Sequence, residues 1–427
     1  MNTTHIRLSL IGAALTAAFS GQALGAGFAV QNQNGAGTGT AFAGAAATAE
    51  DASTVYFNPA GMTYLPMGHS VSVAGTILHR SLDFDNTGSS QVAAPFPLGD
   101  EGGDAGGTSL VPAAFYSYAF SDRIRFGVGV SPTFGNKTEY DRTFMGRFQG
   151  YHTDLKAINV NPSVAFKVSD RLSLGAGISF VKLEGDIRQF APLVLPGPTF
   201  VEAHNRLEAD DTAWGFNLGV MYQPTADTRI GMTYRSRVDF RLRGDATLTG
   251  VGPAQVTDVT SKVELPDTFS VAVHQQISDR WEMMGDWTWT GWSTFKSLDV
   301  RNASTGARIS NPNYDFKDSW RIGFGGAYKY SDDLKLRFGV AYDKTPVPDS
   351  DSRTLTLPDS DRVWVSIGAR YKLTPTSSLD VGYAHLFMKD EDIDRQTVAG
   401  TTATAQFIRG SFKTSVDILS AQYNISF

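Results

Sequence analysis

The sequence predicts an all-β fold: a fourteen-stranded antiparallel transmembrane β-barrel whose N-terminal segment folds into the lumen as a plug. Three observations predict it. Apolar residues alternate with glycine, serine or charge through many short stretches. Short Ser/Asp turns recur about every 50 residues, with long variable segments between them. The final residues alternate in the same way and stop on Phe427.

The chain begins with an expected export leader, residues 1–25. His5 and Arg7 precede the mostly apolar run Leu8 to Phe19, and Ala23-x-Gly25 offers a small-residue cleavage site. The run is too short to span a bilayer as a helix. No second long apolar stretch follows. The chain has no cysteine, so the fold needs no disulfide, and thiol catalysis and zinc–thiolate sites are excluded. A formal charge of −6 gives no footprint for nucleic acid.

Residues 26–68 do not alternate. They are rich in small residues, and Ala41 to Ala49 reads as a short helix. Val55, Tyr56, Phe57, Met62, Tyr64 and Leu65 are too apolar for a solvated tail, so the segment is expected inside the barrel as a hatch. Asn58 can cap a short helix with Pro59 at its first position, where a missing N–H costs nothing. An ordinary turn would use the same residues.

Residues 69–427 are the expected barrel. In "RIRFGVGVS", Ile124, Phe126, Val128 and Val130 share one face. In "LKLRFGVAY", the shared face is Leu334, Leu336, Phe338, Val340 and Tyr342. This is the period of a strand with one apolar side. Ser121-Asp122-Arg123-Ile124 recurs as Ser169-Asp170-Arg171-Leu172 and Ser278-Asp279-Arg280-Trp281, with variants at 226–229, 331–334 and 376–379. Serine and aspartate suit tight turns because their side chains bond the local backbone. Six short turns and seven long loops connect fourteen strands, the asymmetry of an outer-membrane barrel. A propeller of similar repeat would need four strands per repeat, where two are found. The terminal strand, Leu419 to Phe427, must close on the first, because an open edge in lipid leaves backbone groups unpaired.

The third strand carries Ser131-Pro132-Thr133-Phe134-Gly135. Proline removes a ladder donor, which no strand of a closed barrel spares without consequence. Pro132 therefore marks either the strand's end at the rim or a bend within it. No histidine pairs convincingly with a serine and an orienting group; His69-Ser70 and His385 were weighed, and no enzyme is expected.

The stretch "AGFAVQNQNGAGTGTAFAGAAATAEDASTVYFNPAG" closely resembles the hatch of the FadL/TodX family, outer-membrane transporters of long-chain fatty acids and other hydrophobic compounds. The similarity continues in order through "VGVSPTFGNKTEY", "TDLKAINVNPS", "WGFNLGV", "NYDFKDSWRIGFG" and "VPDSDSRTLTLPDSDRVWVS". The resemblance implies an inward kink of the third strand that opens a gap in the wall beside the hatch. It assigns the Asn58-Pro59-Ala60 turn and Thr133, Phe134 and Gly135 to the gate, with Asn58 meeting Thr133 to Gly135; Pro132 joins them as this chain's own residue, since the family pattern does not require proline there. It also implies ligand contacts at Phe28 and Ile187 and a carboxylate-binding lysine at Lys317. Strand parity agrees: Trp320, Ile322 and Phe324 face lipid, so Lys317 and Arg321 face the lumen, although a solvated lumen charge would too. Where the family has a second cation this chain has Gln189, and neighbouring Arg188 falls on the opposite face.

The implied activity is uptake of long-chain fatty acids by ligand-gated lateral diffusion through the wall. Uncharged aromatic or aliphatic hydrocarbons are the rival substrates. The expected partners are a hydrophobic small molecule, outer-membrane lipid and the barrel assembly machinery, which would read the terminal aromatic strand. A monomer without cofactor, metal or nucleic acid is expected.

Overall fold

The computed structural model describes residues 26–91, 96–195, 199–398 and 405–427. The expected leader lies outside them. Fourteen antiparallel strands form the barrel. They are β1 His69–Asn86, β2 Gly107–Ala119, β3 Ile124–Glu139, β4 His152–Lys167, β5 Leu172–Leu195 and β6 Thr199–Tyr222. Then come β7, in the pieces Thr228–Arg235 and Val238–Thr249, and β8, in the pieces Gln255–Leu265 and Thr268–Gln276. The remainder are β9 Trp281–Thr290, β10 Ser319–Lys329, β11 Leu334–Asp343, β12 Arg362–Thr374, β13 Ser377–Met388 with its extension Glu391–Val398, and β14 Ala405–Ser426. β14 closes on β1 in continuous register from Ser70↔Ser426 to Asn86↔Gly410.

The alternation sets the two faces. Trp320, Ile322 and Phe324 point outward, and Arg321 between them is buried, bonded to Asp286 and the Ala41 carbonyl. The short turns work through the side chains that marked them. The Ser121 hydroxyl oxygen accepts from the N–H groups of Arg123 and Ile124 at 3.3 and 3.1 Å. Ser278 and Ser331 repeat the bond. β5 and β6 each run 24 residues, about twice what a membrane crossing needs, so they rise well beyond the bilayer.

Residues 26–65 lie inside this ring. Their backbone approaches so closely that wall positions facing it are glycine. A Cβ at Gly175 would strike Ala60, one at Gly231 the Ala46 carbonyl, and one at Gly339 the Thr40 backbone. Only glycine lets main chain meet main chain at that distance. Ion pairs tie the hatch down as well: Glu50 meets Lys335, Arg337 and Arg370, and Asp51 meets Arg370 at 3.3 Å.

The alanine-rich stretch departs from the single helix expected. Only Ala45–Thr48 is helical, because Ala41, Phe42, Gly44 and Ala49 all adopt positive φ. Close packing against the wall overrides alanine's helix preference.

β3 is bent within its length, not ended at Pro132. Its pairing to β2 stops at Ala114↔Val130. Its pairing to β4 continues with a register shift between Pro132 and Phe134, so Thr133 is an extra residue. Above Val130 the β2 side of β3 therefore has no strand beside it. The hatch fills that place: Val30 N–H donates to the Thr133 carbonyl and Gly135 N–H to the Phe28 carbonyl, each at 2.9 Å.

Candidate functional site

Above the hatch, the tall walls of β4 to β8 and the loops 295–314 and 354–357 enclose a cavity of about 1060 Å³. It is just beyond the usual upper size for a small-molecule site. The inward residues of β8 are Leu265, Val263, Ser261, Val259, Thr257 and Gln255, so this wall is mostly apolar near the floor and polar at its top. β5 contributes Leu183, Ile187 and Gln189 by the same period of two.

Phe28 forms part of the floor. Its ring stands edge-on to Trp292 at 4.6 Å, Phe295 at 5.4 Å and Phe134 at 5.8 Å between centroids. Gly27, at φ +70°, lets the chain turn here, and a Cβ on it would sit 2.7 Å from the Trp292 ring. The same short segment thus supplies a cavity wall through Phe28 and an edge for β3 through its backbone. Gln33 adds to the second role, donating from Nε2 to the Pro132 carbonyl at 2.6 Å.

The structure brings Phe28, Ile187 and Gln189 together on the cavity and sets Pro132, Thr133, Phe134 and Gly135 at the bend. Two expectations are corrected. Lys317 does not line the cavity; it is exposed in the loop before β10, while its neighbour Phe316 is buried against Trp292. The strand starts only at Ser319, and residues 314–318 before it are not extended into the ladder, so its parity does not reach Lys317. Asn58 does not reach the bend. Its Nδ2 donates to the carbonyls of Ala46 at 2.8 Å and Val220 at 3.0 Å, and its Oδ1 accepts from Ala60 N–H at 3.1 Å. Asn58 thus caps the turn Pro59–Tyr64, as its position before proline suggested, and fastens it to β6, with Ala60 against β5.

Tyr314 lines the cavity from an outer loop, its ring against Phe295 at 5.0 Å and Phe316 at 5.6 Å. Burial lifts its phenol above the ordinary value, against the opposing pull of Arg395, so it presents a neutral hydroxyl. Val30, Gln33, Trp292 and Phe295 had not been singled out from the sequence. Their roles come from contacts across the lumen, which local sequence does not mark.

A family model described as "Outer membrane protein transport protein (OMPP1/FadL/TodX)" matches residues 16–427. The chain belongs to this family. It is 29% identical to a 47 kDa outer membrane protein of Pasteurella multocida, over 96% of this chain and 98% of that one. It is 28% identical to a long-chain fatty acid transport protein of Salmonella typhi, over 88% and 90%. The crystal structure of a Pseudomonas aeruginosa FadL homologue superposes with a TM-score of 0.85 at 25% identity, covering 94% of this chain and all of that one. As an OMPP1/FadL/TodX protein, the chain is an outer-membrane β-barrel that transports hydrophobic compounds, not an enzyme. The plugged lumen and the cavity above it fit that role.

Proposed function

We propose that the protein takes up long-chain fatty acids, which enter the cavity from outside and leave sideways through the wall at the β3 bend. The observation that carries this reading is that one segment, Phe28 to Val30, both floors the cavity and supplies the missing edge of β3. A ligand that displaces Phe28 also strains the bonds to Thr133 and Gly135. A tail gains about 0.8 kcal/mol for each CH₂ removed from water, and a sideways exit keeps that gain throughout passage. Outer-membrane lipid then receives the ligand directly.

The test straightens β3: deletion of Thr133 with Pro132→Val restores one residue per register step and lets β2 pair to the top. Cells expressing this variant as their sole transporter of this type are expected to take up no labelled oleate, although the purified protein still binds it. Normal uptake would mean that ligand passes down through the hatch, and the lateral route would be wrong. Uncharged hydrocarbons are a second reading, favoured by Gln189 in the cavity and by Lys317 outside it. Competition between labelled oleate and toluene separates the two.

A further inference from the structure

The cavity is lined by two cations and, among the described residues, by no carboxylate or lysine. Arg308 is paired with a carboxylate, Asp299 at 2.8 Å, which it shares with Arg301. Arg395, on the extension of β13, is not. Its Nη1 faces the carbonyls of Asp351, Ser352 and Arg353 at 3.1 to 3.4 Å, and its Nη2 donates to the Asn313 carbonyl at 2.8 Å. None of these partners is charged. Neutral carbonyls hold the guanidinium in place without cancelling its charge, and the Nε–H enters none of the bonds.

Resting on the fatty-acid reading, we propose that Arg395 is the specificity-determining residue of the cavity: it binds the ligand's carboxylate at the polar mouth while the tail lies toward Phe28. The placement follows the grading of the walls. A carboxylate gains from an uncompensated guanidinium where an alcohol or a hydrocarbon does not, and half-burial makes that gain larger than in open water. The assignment also supplies a cation to a cavity in which position 189 is glutamine and from which Lys317 is absent.

The test uses the purified full-length protein in detergent and two probes of equal tail, oleate and oleyl alcohol. Arg395→Met is expected to weaken oleate binding roughly 10- to 150-fold, the range for a charge-assisted hydrogen bond, and to leave the alcohol within about twofold. Arg395→Lys keeps the charge and is expected to retain preference for oleate. Parallel loss of both probes in Arg395→Met would make the arginine a scaffold for the 351–353 loop and overturn the proposal. Unchanged oleate binding would overturn it as well. A wild-type protein that binds the alcohol but not oleate would instead sink the fatty-acid reading itself, and Arg395 with it.

Discussion

Replacing Asn58 by alanine should loosen the hatch while leaving the barrel intact. The side chain makes three hydrogen bonds: as donor to the buried Ala46 carbonyl and the half-buried Val220 carbonyl, and as acceptor from Ala60 N–H. Losing the cap costs about 1 kcal/mol. Each carbonyl left without that partner costs about 1–3 kcal/mol more, so the total is on the order of 3 kcal/mol. That would raise the population of a loosened hatch roughly 100-fold. Asn58 belongs to no barrel ladder, so closure of β14 on β1 is unaffected. The assay is deuterium exchange of the folded protein, comparing hatch peptides across residues 45–64 with peptides from β12 and β13. Hatch amides should exchange far faster in Asn58→Ala, and those of the strands at the wild-type rate. Wild-type exchange in the hatch would refute the reasoning, and so would joint loss of protection in hatch and barrel.

Gly339→Val should expel the hatch from its seat, because the new side chain would occupy the Thr40 backbone's position; protease cleavage within residues 26–65 of an otherwise heat-modifiable barrel would report it. Glu50→Gln removes the carboxylate shared by Lys335, Arg337 and Arg370, so influx of a bulky polar antibiotic should rise, and unchanged influx would count against an electrostatic lock. Lys317→Met should leave oleate affinity within about twofold, as expected of an exposed charge outside the cavity, and a tenfold loss by calorimetry would contradict that placement.

The barrel was legible because its rules are local. Alternation decides which way Trp320 and Arg321 point, and the Ser121 hydroxyl that marked a turn is the group that bonds the turn's amides. Pro132 announced the bend because it cannot donate to a ladder. What lay outside the rules was the hatch's choice of partners. Nothing near Asn58 indicates that it meets β6 instead of β3, and nothing near Val30 marks it as an edge for Thr133. Such contacts are set by three-dimensional closure. Lys317 failed for a different reason: parity holds only within a strand, and β10 begins two residues later, at Ser319. Arg395 was overlooked because an arginine in a variable outer loop reads as solvated until its neighbours are known to be carbonyls.

The edge that the hatch lends to β3 has a consequence for time. The break is narrow, bounded below by Ala114↔Val130 and above by Glu139 N–H donating to the Ala105 carbonyl at 3.1 Å. When Phe28 to Val30 withdraw, the Thr133 carbonyl and the Gly135 N–H face hydrocarbon, where each unpaired group costs several kcal/mol. An acyl tail brings no donor or acceptor to replace them. On the lateral route proposed above, the open wall is therefore higher in energy than the closed one, and it would last only as long as a tail is passing. On that route the two bonds that oppose opening also favour resealing, so the membrane would keep its barrier to other solutes between passages.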